Sequence, residues 1–258
     1  MKLIILAAGE GKRLRPYTEK LPKCLVNLKE KSLLSHQLSS INKCNISHDN
    51  IALVGGYKSE LLERLSIKTF INPKYSSTNM VSTLFCAKDF MQPDEDLVIS
   101  YGDIVYEEKV LRTLMSSNAE ISVVADEKWE RLWRLRMNDP LDDAETFIMD
   151  DNCLIKELGN KPTTITEVQA QYIGLIKVRA DMIQKFKEIY KQIDKSLHFR
   201  GQDFDNMYMT SFIQYLIDYG WQVKASLIKN GWLEVDTVED LESYDQMSKE
   251  TLDSYCRL

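Results

Sequence analysis

Three short stretches of the 258-residue chain carry residues with chemistry of their own. The first is LAAGEGKRLRPYT, Leu6–Thr18, which follows the apolar run Leu3–Leu6. Glycines at 9 and 11 let the backbone approach a bulky group. They also leave N–H groups unshielded at the start of a helix, where anions bind well. Lys12, Arg13 and Arg15 add positive charge at the same place. Together these are the parts of a loop that wraps a polyphosphate. No G-K-[ST] closes it, and Leu14 stands where a dinucleotide fingerprint needs its third glycine. The same residues also suit a tight strand-to-helix turn with no ligand. The second stretch, LPKCL at Leu21–Leu25, sets Lys23 directly after Pro22. The proline fixes the backbone, and a lysine on a rigid loop can act as a point charge on a phosphoryl group. The third feature is a pair of acids, Asp103 in YGD and Asp236 in EVDTVEDLE. Two carboxylates from separate strand ends can hold one Mg²⁺, with phosphates filling other positions. For Asp236 the plainer reading is a helix N-cap, because acids follow in what would be the first turn, and the two roles are compatible.

Something must bring these distant residues together. Lys2–Ala7, Asn50–Val54, Thr69–Asn72, Asp96–Ser100 and Glu120–Ala125 read as strands. Ser32–Asn42, Ser59–Leu65, Thr78–Phe90 and Glu107–Ser117 have helical spacing between them. This alternation predicts an α/β, Rossmann-like fold, a mostly parallel mixed sheet with helices on both faces. Ligands of such sheets sit at the carboxyl ends of the strands. The glycine loop, Gly55-Gly56-Tyr57 and Tyr101-Gly102-Asp103 all fall there. From 126 to 178 the pattern changes to shorter β-like pieces, and a helix over 181–194, another over 208–219 and the strand WQVKASLI follow. The expectation is a single domain, 1–258, with a small β-rich inserted lid at 126–178.

Composition narrows the partners. A net charge of −6 lacks the basic footprint of a nucleic-acid binder. No apolar stretch approaches the ~18–20 residues of a membrane span, and Met1–Leu6 is too short for a signal peptide. Cys24, Cys44, Cys86, Cys153 and Cys256 are scattered, with no C-x-x-C pair. Free thiols in a reducing cytoplasm are expected rather than zinc or disulfides. A homodimer stays open.

The segment DEKWERLWRLRMNDPLDDAET, Asp126–Thr146, mixes Trp129 and Trp133 with Arg131, Arg134 and Arg136, then Asp142, Asp143 and Glu145. An aromatic cage for a quaternary cation would be repelled by arginines. A zwitterion needs both signs, and this stretch has both. Gln171, Tyr172 and Thr210 are candidates to complete such a pocket. The plainer alternative is a solvated charged lid over two core tryptophans.

LAAGEGKRL, PKCLV, YGD and EVD, in this order, resemble the nucleotidyltransferase family that makes nucleoside diphosphate-linked sugars and alcohols. INPKYSSTNMVSTL, SYGDIVY, WERLWRLR, DPLDDAET and QAQYIGLI are similar to its cytidylyltransferase branch, which acts on phosphocholine, 2-aminoethylphosphonate and phosphoglutamine. The resemblance implies attack of an acceptor phosphate or phosphonate on the α-phosphorus of CTP. It implies Lys23 and Arg13 on the phosphates and Asp103 and Asp236 on Mg²⁺. Leu6, Ala7, Ala8, Gly9, Gly11 and Gly102 would line the nucleotide, with Gly56 and Tyr57 near the base and Asn79 and Ser82 on base or ribose. Trp133, Arg134, Arg136, Asp142, Asp143, Glu145, Gln171, Tyr172 and Thr210 would form the acceptor site. A role in capsule or cell-surface polymer assembly is implied too. A sugar-1-phosphate nucleotidylyltransferase using UTP or dTTP, and an inactive nucleotide-binding homologue, are the other readings.

Overall fold

The run LIILA at Leu3–Ala7 is apolar at consecutive positions, as a strand covered on both faces must be. The computed structural model describes residues 1–258 and places this strand, β1 (Lys2–Ala7), inside a seven-stranded sheet. A short hairpin of β2 (Asn27–Leu28) and β3 (Lys31–Ser32) leads into α1 (Leu33–Lys43). Then follow β4 (Ile51–Gly55), α2 (Ser59–Leu62), β5 (Lys68–Ile71), α3 (Met80–Phe85), β6 (Leu97–Tyr101), β7 (Ile104–Tyr106), α4 (Glu108–Met115) and β8 (Ile121–Asp126). The second half holds α5 (Trp129–Arg136), β9 (Phe147–Met149), β10 (Ile155–Leu158), β11 (Gln171–Val178), α6 (Ile183–Gln192) and α7 (Met209–Asp218). It closes with β12 (Val223–Ile228), β13 (Trp232–Glu234), α8 (Val238–Gln246) and α9 (Lys249–Asp253).

The strand order is β12-β8-β11-β6-β1-β4-β5. β1 pairs in parallel with β4 and β6, and only β11 runs antiparallel to its neighbours, β6 and β8. Side chains alternate across the sheet. Leu3 and Ile5 join a core of 39 buried residues with α1, α4, α5 and α8, while Ile4 and Leu6 join one of 35 with α3, α6 and α7. The two faces are thus about equally covered, as the mixed α/β expectation requires. No helix is long and apolar enough to cross a membrane.

Three expectations need correction. The lid does not run from 126 to 178. Asp126 is the last residue of β8, and Gln171–Val178 is a central strand of the main sheet. What lies outside the sheet is 127–170, and it leaves and returns at paired residues, since Gln171 is the partner of Asp126. The apolar run of β11 reads as a strand either way, and sequence does not say which sheet it joins. The turn after the glycine loop is a single 3₁₀ turn, Lys12–Leu14, too short to carry a helix dipole. The helix expected over 78–90 breaks into α3 and a 3₁₀ turn at Lys88–Phe90.

Candidate active site

Three adjacent strands, β4, β1 and β6, deliver their loops to one edge, and the loops touch. Tyr57 N–H donates to Ala8 O at 3.0 Å, and Gly102 N–H donates to Leu6 O at 2.9 Å. Side chains would block this. A Cβ on Gly56 would lie 2.8 Å from Ala8 O, and one on Gly102 2.6 Å from Leu6 O. Below them opens a cavity of about 170 Å³, lined by Leu6, Ala7, Ala8, Gly9, Gly102 and Asp103. Lys23, Cys24, Tyr75, Thr78, Asn79, Met80, Thr83 and Tyr101 complete its wall. Asn79 caps α3 by accepting from Met80 N–H at 2.8 Å. Buried Asn72 holds the loop before it, donating to Thr78 Oγ1 and Thr83 Oγ1 at 2.9 Å each. Burial pushes the Cys24 thiol up to about 12, so this wall presents no thiolate.

The two acids meet because two short strands pair. β13 runs antiparallel to β7 with Glu234 opposite Ile104, which sets Asp236 beside the Gly102-Asp103 turn. Gln37 of α1 steadies that turn, donating to Tyr101 O at 2.9 Å and Ile104 O at 2.7 Å. Lys23 Nζ bridges the acids, 2.8 Å from Asp103 Oδ2 and 2.6 Å from Asp236 Oδ1. Arg13 pairs with the other oxygen of Asp236. Burial opposes the charge on Lys23, but the two carboxylates prevail and hold its pKa above the ordinary lysine value. Burial likewise opposes ionisation of Asp236, and Lys23, Arg13 and Arg136 bring it below the usual range. Asp103 Oδ1 is buried with no partner. No third acid joins them in a metal-binding cluster. The N-cap of α8 is Thr237, in a capping box with Asp240, so Asp236 does not cap and faces the site.

A second cavity of about 210 Å³ lies beyond Met80 and Tyr101, which line both. Arg13, Trp133, Asp143, Glu145, Gln171, Tyr172, Thr210, Trp232, Glu234 and Asp236 line it. β11 is irregular here. Its register against β8 shifts between Tyr172 and Ile176, and Gly174 has φ +83 with the Tyr101 ring where a side chain would stand. Desolvation raises the pKa of Glu145 inside the cavity and of Asp143 at its exposed rim, and neither forms an ion pair. The Thr210 hydroxyl donates to Glu145 Oε1 at 3.2 Å. Glu234 is pushed up to about 7, first by burial and then by Asp103 and Asp236, against the pull of Arg136.

Several expected residues are elsewhere. Arg134 is exposed and pairs with Glu130 one turn back. Arg136 is buried and already saturated by Glu234 and Asp240, so it has no free edge for a ligand. It acts as a brace, because Asp240 Oδ2 also accepts from the N–H groups of Asp236 and Thr237 at 2.9 and 3.0 Å. Asp142 is exposed, and its backbone is engaged, by Asp139 O and Lys161, while its carboxylate is not. Ser82 faces away from the first cavity and donates to Asp205 O at 3.0 Å. Gly56, Tyr57 and Gly11 support the loops without lining the cavity. The Tyr57 hydroxyl donates to Thr18 O at 3.1 Å, and Gly11 takes φ +60 against Thr18 and Lys23. Sequence reasoning passed over Tyr75, Thr78, Met80, Thr83, Tyr101, Tyr208, Trp232 and Glu234. Tyr101 and Glu234 stand inside YGD and EVD, and that adjacency was the available signal.

The model of the MobA-like NTP transferase domain matches residues 3–160. The CTP:phosphoglutamine cytidylyltransferase of Campylobacter jejuni is 41% identical over 251 residues, covering 94% of this chain and 98% of that protein. The choline-phosphate cytidylyltransferase of Streptococcus pneumoniae is 39% identical over 92 residues, 34% of this chain and 40% of that one. The inositol-1-phosphate CTP transferase structure from T. maritima superposes with a TM-score of 0.73 at 18% identity, over 99% of this chain and 95% of that one. At that identity the likeness speaks for the fold.

Proposed function

The chain belongs to the MobA-like NTP transferase domain family, and on that premise we propose that it transfers CMP from CTP to a small phosphorylated or phosphonylated acceptor bearing an ammonium group. The observation that carries this is the pair of cavities joined at Met80 and Tyr101, with Asp103 on one and Asp236 on the other. The 41% identical relative, matched over nearly its whole length, supports CTP as donor.

The reaction is a displacement at the α-phosphorus. An acceptor oxygen forms the new P–O bond as the bond to the β-phosphate oxygen breaks, and pyrophosphate leaves. An acceptor phosphate is already ionised near neutral pH, so no general base is needed. His36, His48 and His198 lie outside both cavities. Catalysis then rests on position and on charge neutralisation. In this reading Leu6, Ala7, Ala8, Gly9, Asn79 and Gly102 bind the nucleotide, and Lys23 and Arg13 turn from the acids to the phosphates.

Asp103 and Asp236 fit Mg²⁺. They are hard oxygen donors, one oxygen has no other partner, and Mg²⁺ is usually held by one or two carboxylates plus substrate phosphates. When bound, the ion would supply neutralisation of the triphosphate. Asp143 and Glu145 take the acceptor's ammonium, with Thr210 fixing Glu145. We place the reaction in the cytoplasm, feeding a CDP-linked product to cell-surface polymer modification.

The test is pyrophosphate release with each of four NTPs and phosphoglutamine, 2-aminoethylphosphonate, phosphocholine or glucose-1-phosphate. CTP with phosphoglutamine is expected to give the highest kcat/KM. UTP is disfavoured because uracil presents a carbonyl acceptor where cytosine's exocyclic amine donates, which leaves the pocket's acceptor unmatched. Preference for UTP or dTTP with the sugar phosphate would overturn the reading.

A further inference from the structure

Trp129 and Trp133 sit one turn apart on α5, yet only one indole is satisfied. Trp129 Nε1 donates to Val168 O at 3.1 Å. Trp133 Nε1 is buried with no partner, and so is Gln171 Oε1. Both residues line the second cavity and are 2% and 5% exposed. Buried polar atoms are nearly always paired, because leaving them unpaired is costly. Two orphans on one wall mark a surface shaped for polar atoms of a ligand.

Their chemistry is specific. An indole N–H only donates, so it requires an oxygen on the ligand. A carboxamide oxygen only accepts, so it requires an N–H. Asp143 and Glu145 require a cation. The carboxylate clamp expected of Arg134 and Arg136 is absent, and with Arg13 assigned to the phosphates the Trp133 N–H is the donor left on this wall to meet a ligand oxygen. Arg136 strengthens it, because its guanidinium stands 5.1 Å over the Trp133 ring and draws on its electrons.

We infer that Trp133 and Gln171 determine acceptor specificity, selecting an amino-acid-type head whose carboxylate or carbonyl oxygen meets Trp133 Nε1–H and whose N–H-bearing ammonium meets Gln171 Oε1 and Glu145. This rests on the cytidylyl-transfer reading above. A quaternary ammonium offers neither an oxygen nor an N–H, so it leaves both orphans unmatched and is rejected.

The experiment compares kcat and KM for phosphoglutamine and phosphocholine, with CTP, in wild type, Trp133→Phe, Gln171→Met and Trp129→Phe. Trp133→Phe keeps a ring and removes the N–H. Trp133→Phe and Gln171→Met should each raise KM for phosphoglutamine roughly ten-fold or more and leave KM for CTP near wild type, while KM for phosphocholine falls, because the unmatched group that rejected it is gone. Trp129→Phe should lower the melting temperature and leave the acceptor ratio unchanged. Unchanged KM for phosphoglutamine, or equal losses with both acceptors, overturns the inference. If Trp133→Phe does not fold, Gln171→Met decides by the same criterion. Failure of the wild type to make a CDP-linked product from either acceptor overturns the transfer reading itself, and with it the inference. That outcome is seen before any variant is made.

Discussion

The proposed nucleotide cavity and the proposed acceptor cavity share Met80 and Tyr101 but are built of different material. The first is built around strand ends whose loops lock together because Gly56 and Gly102 have no Cβ, with side chains of the 75–83 stretch closing it. The second is almost wholly side chain, drawn from α5, the 127–170 segment, β11, α7 and β13. A pocket built around strand ends is tied to the sheet and tolerates little change. A pocket of side chains can change its ligand one residue at a time.

Variants sharpen the division. The largest effect is expected where the cavities join. Asp103→Asn and Asp236→Asn should each fold and lose ~10²–10³ in kcat whichever acceptor is used, as loss of one well-placed electrostatic group commonly does. Retention of most wild-type turnover at saturating Mg²⁺, in steady-state assays, would remove that residue from the metal site. On the acceptor side, Glu145→Gln should raise KM for an ammonium-bearing acceptor by roughly ten-fold and leave KM for CTP alone. Equal shifts in both constants would mean that the cavities are one site, not two. On the nucleotide side, Gly56→Ala forces a Cβ to 2.5 Å from Tyr75 Cβ, so Tyr75 must move. It should cost about 1–3 kcal/mol of stability, read by denaturant unfolding, and raise KM for CTP while sparing acceptor KM.

The same division explains what the sequence made legible. Glycines and a charged loop after an apolar run report backbone geometry directly, so Leu6–Gly9, Lys23, Gly102 and Asp103 were all readable and do converge. Asp236 was readable in two roles, and the capping box of Thr237 with Asp240 removes the cap. Charge was a poor guide on the acceptor side. Arg134, Arg136, Asp142, Asp143 and Glu145 lie within a dozen residues, but a helix distributes neighbours around its axis. Arg134 points to solvent, Arg136 inward to Glu234 and Asp240, and only Asp143 and Glu145 reach the cavity. Arg136's partners are about a hundred residues away in the chain, and no local pattern announces them. The misplaced lid has a similar cause, since the partner of β11 is fixed by topology and not by its own residues.

The pairing of Gln171 with Asp126 has an evolutionary consequence. The 127–170 segment leaves the sheet and re-enters it on neighbouring strands, which lie ~5 Å apart. Its mouth is pinned by Asp126, which accepts from Lys128 N–H at 2.8 Å, Asn230 N–H at 3.0 Å and Trp232 Nε1 at 2.9 Å. A segment anchored this way can lengthen, shorten or be exchanged whole without disturbing the register of the sheet, and closing a longer loop costs little. Trp133, Asp143 and Glu145 all ride on it. Part of the proposed acceptor surface is thus a cassette, and a lineage can trade one substrate for another within it provided that Arg136, which braces Asp240 and through it Asp236, is kept.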